Sequence, residues 1–161
     1  MTMKPDDLEL GLRRPPIVFF VQGNPRPQPR TKARIFKMGS AVKVQVYDPG
    51  TAADWKKRVW DEAWKVRPVP RLEGPCRVAL RFTFARPQTL CRLRDPLTQF
   101  PHGRKPDVDN LCKLILDVLT QQGWWRDDGV VAELQAFKFW NVKNSQTFGV
   151  SVLVTEEMKD G

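Results

Sequence analysis

Leu111, Leu114, Ile115, Val118 and Leu119 fall at i, i+3, i+4, i+7 and i+8, the spacing that lines one face of an α-helix with aliphatic side chains. Such a stripe must be covered by another apolar layer. The chain offers one upstream. From Arg77 to Phe84, the residues Val78, Leu80, Phe82 and Phe84 alternate with Arg77, Ala79, Arg81 and Thr83, the period of a half-buried strand. A helix laid on a sheet is therefore the solution to which the chain is held. Pro106 forces Lys105 into an extended conformation. The helix is predicted from Asn110 to about Gln121, and Gly123 stops it.

The other segments add to this frame. Pro15-Pro16 precedes a β-branched apolar run, Ile17 to Val21, which reads as a buried strand. Ile35–Phe36 and Val42–Tyr47 suggest a small hairpin around Met38-Gly39-Ser40. Asp48-Pro49-Gly50-Thr51 ends it and can cap a helix from about Ala52 to Lys65, with Trp55, Val59, Trp60 and Ala63 on one face. Pro68 and Pro70 stop that helix. Pro87 to Pro106 is an arginine-bearing loop without a period, and loops of this length are usually functional or mobile. Val130–Trp140 and Thr147–Thr155 read as strands joined by a polar turn. The expectation is one α/β domain over residues 15–157, with a four-stranded mixed sheet and two main helices packed on it. Residues 1–14 are expected to be a mobile arm, without the apolar core of a signal peptide.

No apolar run approaches the roughly 20 residues needed to span a bilayer. The three cysteines, Cys76, Cys91 and Cys112, form no C-x-x-C pair. That argues against a zinc ribbon or a secreted disulfide scaffold and favours a reducing cytoplasm. Cys112 reads as helix packing. The net charge of +9 points to a phosphate-rich partner, or to a merely basic surface. It is unevenly spread: from Arg13 to Lys105 there are 21 basic and 6 acidic side chains. Pro25, Pro27 and Pro29 forbid a helix and favour a stiff extended segment. Its arginines Arg26 and Arg30, followed by Lys32 and Arg34, are either a strap that grips phosphates or solvated loop charges.

Against this basic background, Asp107, Asp109, Asp117, Asp127 and Asp128 crowd into one stretch. Asp109 is expected at or near the helix N-cap. Lys113 follows it by one turn and Asp117 follows Lys113 by another, opposite the apolar stripe. Taken alone, this fits an N-cap aspartate and an ordinary i,i+4 pair. Asp127-Asp128-Gly129 fits a turn. Together, the carboxylates would repel unless a cation neutralised them, and Mg²⁺ or Mn²⁺ prefers hard oxygen ligands with water and substrate phosphate completing its shell. Lys113 is then the candidate ammonium at the phosphate. The adjacent Trp124 and Trp125 are core residues or DNA-stacking platforms. His102, the only histidine, is a satisfied loop residue or a phosphate contact.

The pattern K-P-D-V-D-N-L-x-K-x-x-x-D-x-L, followed by W-x-D-D-x-x-V, resembles the RusA family of Holliday junction resolvases. Upstream, the Pro/Arg segment after the first strand and Tyr47-Asp48-Pro49 before a helix are similar too. The likeness runs from about Ile17 to Thr155. It implies a RusA-like fold in an intertwined homodimer, and Mg²⁺-dependent endonuclease activity with Mn²⁺ as a possible substitute. Paired symmetric nicks in four-way DNA junctions would then serve recombination and repair in a bacterial or phage setting. By motif position it implies metal ligands at Asp107, Asp109 and Asp128 and an essential lysine at Lys113, with Asn110 and Asp127 as accessory residues. Arg26, Arg30, Lys32, Arg34 and Lys105 are the expected DNA contacts. The alternatives are a broader nuclease acting on forks or flaps, and a non-catalytic DNA-binding phage protein. The longer N-terminus and the extra residues between Pro87 and Pro106 depart from the smallest members of the family and bear on DNA contact more than on chemistry.

Overall fold

The computed structural model describes residues 14–47 and 50–157. Strands β1 (Ile17–Gln22), β4 (Cys76–Phe84), β5 (Phe100–Pro101), β6 (Val131–Trp140) and β7 (Gly149–Glu156) form one mixed sheet in the order β1-β7-β4-β6-β5. Strands β2 (Lys32–Met38) and β3 (Ala41–Tyr47) form a separate hairpin. Helices α1 (Ala53–Lys65) and α2 (Val108–Gln121) cover one sheet face.

The sheet therefore has five strands and not four. The added strand, β5, comes from the long loop and pairs Phe100 with Trp140 and Pro101 with Phe139. Two residues, one of them proline, show no period to read. The loop around it is held by Arg86, whose guanidinium donates to the carbonyls of Asn141, Leu90, Pro96 and Thr98 and lies over the Phe100 ring. A planar fork with five N–H donors suits this role.

Central strand β4 pairs antiparallel with β7 and parallel with β6, across the connection that carries α2. Val78, Leu80, Phe82 and Phe84 meet the α2 stripe, and Leu111, Leu114, Ile115, Val118 and Leu119 are all buried. Gly123 ends α2 at φ 74°, a left-handed conformation that glycine adopts without Cβ strain. Trp124 and Trp125 then fold into the core at 0% and 1% exposure. The core reading of this pair holds, and neither has a face to offer a base.

Two local expectations change. In α1, Trp55, Val59 and Ala63 are buried, but Trp60 is exposed and stacks on Trp64 at 6.3 Å. At i+5 from Trp55 it lies well off the buried face. Ala52 occupies the α1 N-cap, so Thr51 supplies no side-chain cap, and Asp48 and Pro49 lie outside the described residues. Of the expected arm, residues 1–14, residues 1–13 also lie outside them. Arg14 is described and tied down, bonding the Pro70 and Arg71 carbonyls and pairing with buried Glu156 at 3.4 Å.

Candidate nuclease site

Helix α2 begins one residue after Asp107, not at Asn110. Asp107 is its N-cap, in extended backbone (φ −71°, ψ 139°), and makes no side-chain cap bond. Asp109 lies in the first helical turn and is not the cap. Lys113 follows one turn later, also exposed, and Asp117 is half-buried beyond it. Burial raises the Asp117 pKa, with Lys113 and Lys56 opposing and the Asp128 charge adding to the rise. Asp128 is thus an electrostatic neighbour of the far end of the Asp109–Lys113–Asp117 row.

The Asp127-Asp128-Gly129 turn divides its two acids. Asp127 caps a short 3-10 turn, its Oδ1 accepting from the Gly129 N–H at 2.7 Å. Asp128 is exposed and leaves its carboxylate uncommitted. Among the described residues, the side chains of Asp107, Asp109 and Asp128 enter no hydrogen bond or ion pair. Burial and the Asp109 charge push the Cys112 thiol up to about 11, so it stays protonated and belongs to packing.

The Pro/Arg strap is anchored on this helix. The Gln28 N–H donates to the Asn110 carbonyl at 3.0 Å. Strap and helix start enclose a cleft of about 790 Å³, lined by Arg26, Arg30, Lys105, Asp107, Asn110 and His102 among others. Five of the residues read from the sequence are thus gathered with His102 in one place. Asp109, Lys113 and Asp128 do not line this cleft. Lys32 and Arg34 stand apart on the hairpin, fully outside the body of the domain.

Sequence reasoning missed Lys138. Its ammonium donates to the carbonyls of Arg104 and Pro106, the latter at 2.6 Å, on the segment that delivers Asp107. Burial lowers its pKa, and the Asp107 charge opposes that. The available signal was its phase: Leu134, Ala136, Lys138 and Trp140 share the face of β6 that continues Val78, Leu80, Phe82 and Phe84. A lysine in that register needs a buried task. His102 was only partly read. It is buried, its Nδ1 accepts from the Arg104 N–H at 3.1 Å, and its ring stacks on Trp140.

Asp107, Asp109 and Asp128 offer the hard, uncommitted oxygen donors that a divalent cation takes. No group of three His, Cys, Asp or Glu side chains placed to hold a metal ion occurs among the described residues. The donor chemistry of Asp107, Asp109 and Asp128 suits Mg²⁺, whose shell water and substrate phosphate complete, but among the described residues the three carboxylates are not gathered into one site. Among the described residues, no helix is long and apolar enough to cross a membrane. No curated protein matches the chain. The family model described as endodeoxyribonuclease RusA matches residues 22–152.

Proposed function

Since the chain belongs to the RusA endodeoxyribonuclease family, we propose that it is a cytoplasmic, Mg²⁺-dependent resolvase that cuts four-way DNA junctions by paired nicks. The observation that carries this reading is the meeting of the basic strap with the Asp107–Asn110 start of α2 in one cleft. In the reaction, a water oxygen bonds to phosphorus, the bond to one sugar oxygen breaks, and that oxygen leaves with a proton.

Asp107, Asp109 and Asp128 would hold the metal. When bound, it supplies a Lewis acid and a more acidic water. Lys113, exposed one turn from Asp109, places an ammonium where charge builds on the phosphate or the leaving oxygen. Asn110, on the cleft wall, orients the strand. Asp127 serves the turn that presents Asp128. The test incubates the protein with a labelled four-way junction, a fork and a linear duplex, with and without Mg²⁺. Symmetric metal-dependent nicks confined to the junction are expected. Cuts in the fork as well would indicate a broader nuclease. Tight binding without cuts would indicate a DNA-binding protein.

Arg26, Arg30 and Lys105 rim the cleft and act as its phosphate contacts. The double substitution Arg26→Gln, Arg30→Gln is expected to weaken junction binding and to flatten the plot of log affinity against log salt by about two units, roughly one per lost phosphate contact. Binding measured from low to moderate salt checks this. An unchanged slope would leave these arginines as solvated loop charges.

The hairpin suggests how a homodimer forms. Every residue of β2 and β3 is exposed. Its register puts Ala33, Ile35, Val42, Val44 and Val46 on one face with Lys37 near the turn, while Lys32, Arg34 and Lys43 share the other with Phe36, Met38 and Tyr47. A two-stranded hairpin alone is marginal in water, and an exposed aliphatic face of this kind marks an interaction site. We assign the aliphatic face to a second copy and the basic face, with Lys32 and Arg34, to DNA. A two-fold dimer also places one site on each of two strands. Val44→Lys is expected to convert the dimer to a folded monomer, with the melting temperature lowered only by the lost association. Sedimentation analysis checks it, and a dimer that survives would move the interface elsewhere.

A further inference from the structure

One wall of the strap cleft has chemistry that phosphodiester hydrolysis does not use. Trp140 and His102 stack there with ring centroids 3.7 Å apart and an interplanar angle of 12°. Phe84 meets the His102 ring edge-on at 4.8 Å. Across the cleft stands the strap, with Pro25, Pro27 and Gln28. The Gln28 backbone is fixed to Asn110. Its side-chain Oε1 is buried and has no hydrogen-bond partner among the described residues. An acceptor left so is destabilising, and a donor on a ligand would satisfy it.

We propose that this cleft docks one unstacked nucleobase of the DNA, next to the phosphate that is cut. Trp140, the half-buried member of the aromatic wall, stacks on the ring of the base, and Gln28 Oε1 accepts from its exocyclic amino group. The proposal rests on the nuclease reading and adds a specificity site to it. Volume, charge and chemistry agree on the occupant. About 790 Å³ suits a small planar ligand with its sugar. Arg26, Arg30 and Lys105 on the rim match the phosphates on either side of a base. Aromatic side chains stack on bases whatever their sequence, because every base has a π-face. Drawing a base from the stack costs least where pairing is already interrupted, as at a branch point. Cytosine, adenine and guanine carry the amino group, and thymine lacks it.

His102 belongs to the wall and not to the phosphate contacts. Its Nδ1 accepts from the Arg104 N–H, so a neutral ring keeps its proton on Nε2. Burial first, and then the Lys138 charge, lower its pKa and favour that neutral form. A neutral ring stacked on Trp140 backs the wall without adding charge to it.

The test uses immobile junctions in which each nucleotide beside the branch point is varied among the four bases. Single-turnover cleavage is measured with Mg²⁺, and equilibrium binding is measured in EDTA. One position is expected at which thymine slows cleavage about tenfold or more against the best amino-bearing base. The same ranking should appear in the dissociation constants. Gln28→Met should bring the best base to the level of thymine in both measurements. Equal behaviour of all four bases at every position, or a ranking that survives Gln28→Met, overturns the proposal. Failure to cut any junction counts against the nuclease reading alone, because the ranking in EDTA still decides the pocket.

Discussion

Asp109→Asn is expected to remove junction cleavage while leaving junction binding intact or tighter. The substitution keeps the shape of the side chain and deletes one negative charge. Asp109 is exposed in the first turn of α2, and its carboxylate has no hydrogen bond or ion pair among the described residues. Its loss therefore removes no internal contact, and a surface change of this kind usually shifts stability by no more than about 0.5 kcal/mol. On the proposed reading, what is lost is an oxygen donor for the metal. Lewis-acid stabilisation of a phosphoryl transition state is worth several kcal/mol, and each 1.36 kcal/mol is a factor of ten in rate. A fall of about 10³-fold in the single-turnover rate follows. Binding moves the other way, because a carboxylate beside a phosphate repels it. Cleavage of a labelled junction and a gel-shift titration, run side by side with wild type, give both quantities. A mutant that cuts at the wild-type rate would remove Asp109 from the metal site.

The parts of the fold that bury apolar surface were legible, because burial is what imposes a period. The α2 stripe and the β4 alternation predict core residues that are buried in the structure. Where nothing is buried, the pattern carries no length information. The hairpin runs over Lys32–Met38 and Ala41–Tyr47, longer at its first strand than Ile35–Phe36. Its Lys32 and Arg34 alternate with apolar residues in a segment without cover. Strand β5 was hidden for another reason. It exists through pairing with Trp140 and Phe139 and through the Arg86 clasp on its loop, contacts far apart in sequence. The site divides in the same way. Asp107, Asp109, Asn110 and Lys113 belong to one local motif and could be read together. The cleft arises from the strap meeting α2 at the Gln28–Asn110 bond, which no local pattern encodes. Lys138 was passed over because lysine usually reads as surface, although its phase on β6 placed it on the core side.

Trp124→Ala is expected to have the largest effect on stability, and the reason lies in what this side chain joins. It is fully buried between elements that never touch in sequence. Its ring tilts against Phe19 of β1 at 5.8 Å and meets Trp125 edge-on at 6.5 Å. Its Nε1–H donates to Gln122 Oε1 at 3.1 Å, and Gln122 in turn donates to the Trp60 carbonyl of α1 at 2.7 Å. Its own carbonyl accepts from the Leu72 N–H at 2.7 Å. Truncation leaves a cavity and an amide acceptor without its donor. Phe or Trp to Ala in a core costs about 3–5 kcal/mol, which for a domain of this size lowers the melting temperature by roughly 6–20 °C. Thermal unfolding followed by circular dichroism reads this directly. The same variant separates the two roles open to this tryptophan. A core residue changes the melting temperature and leaves the junction affinity of the still-folded protein, measured well below its midpoint, within about twofold of wild type. A stacking platform would do the reverse, since base stacking is worth about 1–3 kcal/mol. Complete burial allows only the first result. Cleavage by the folded variant should still fall, because Trp124 and Trp125 are the buried root from which the chain emerges into the turn of Asp127 and Asp128. A loosened root lets Asp128 shift relative to its electrostatic neighbour Asp117 on α2.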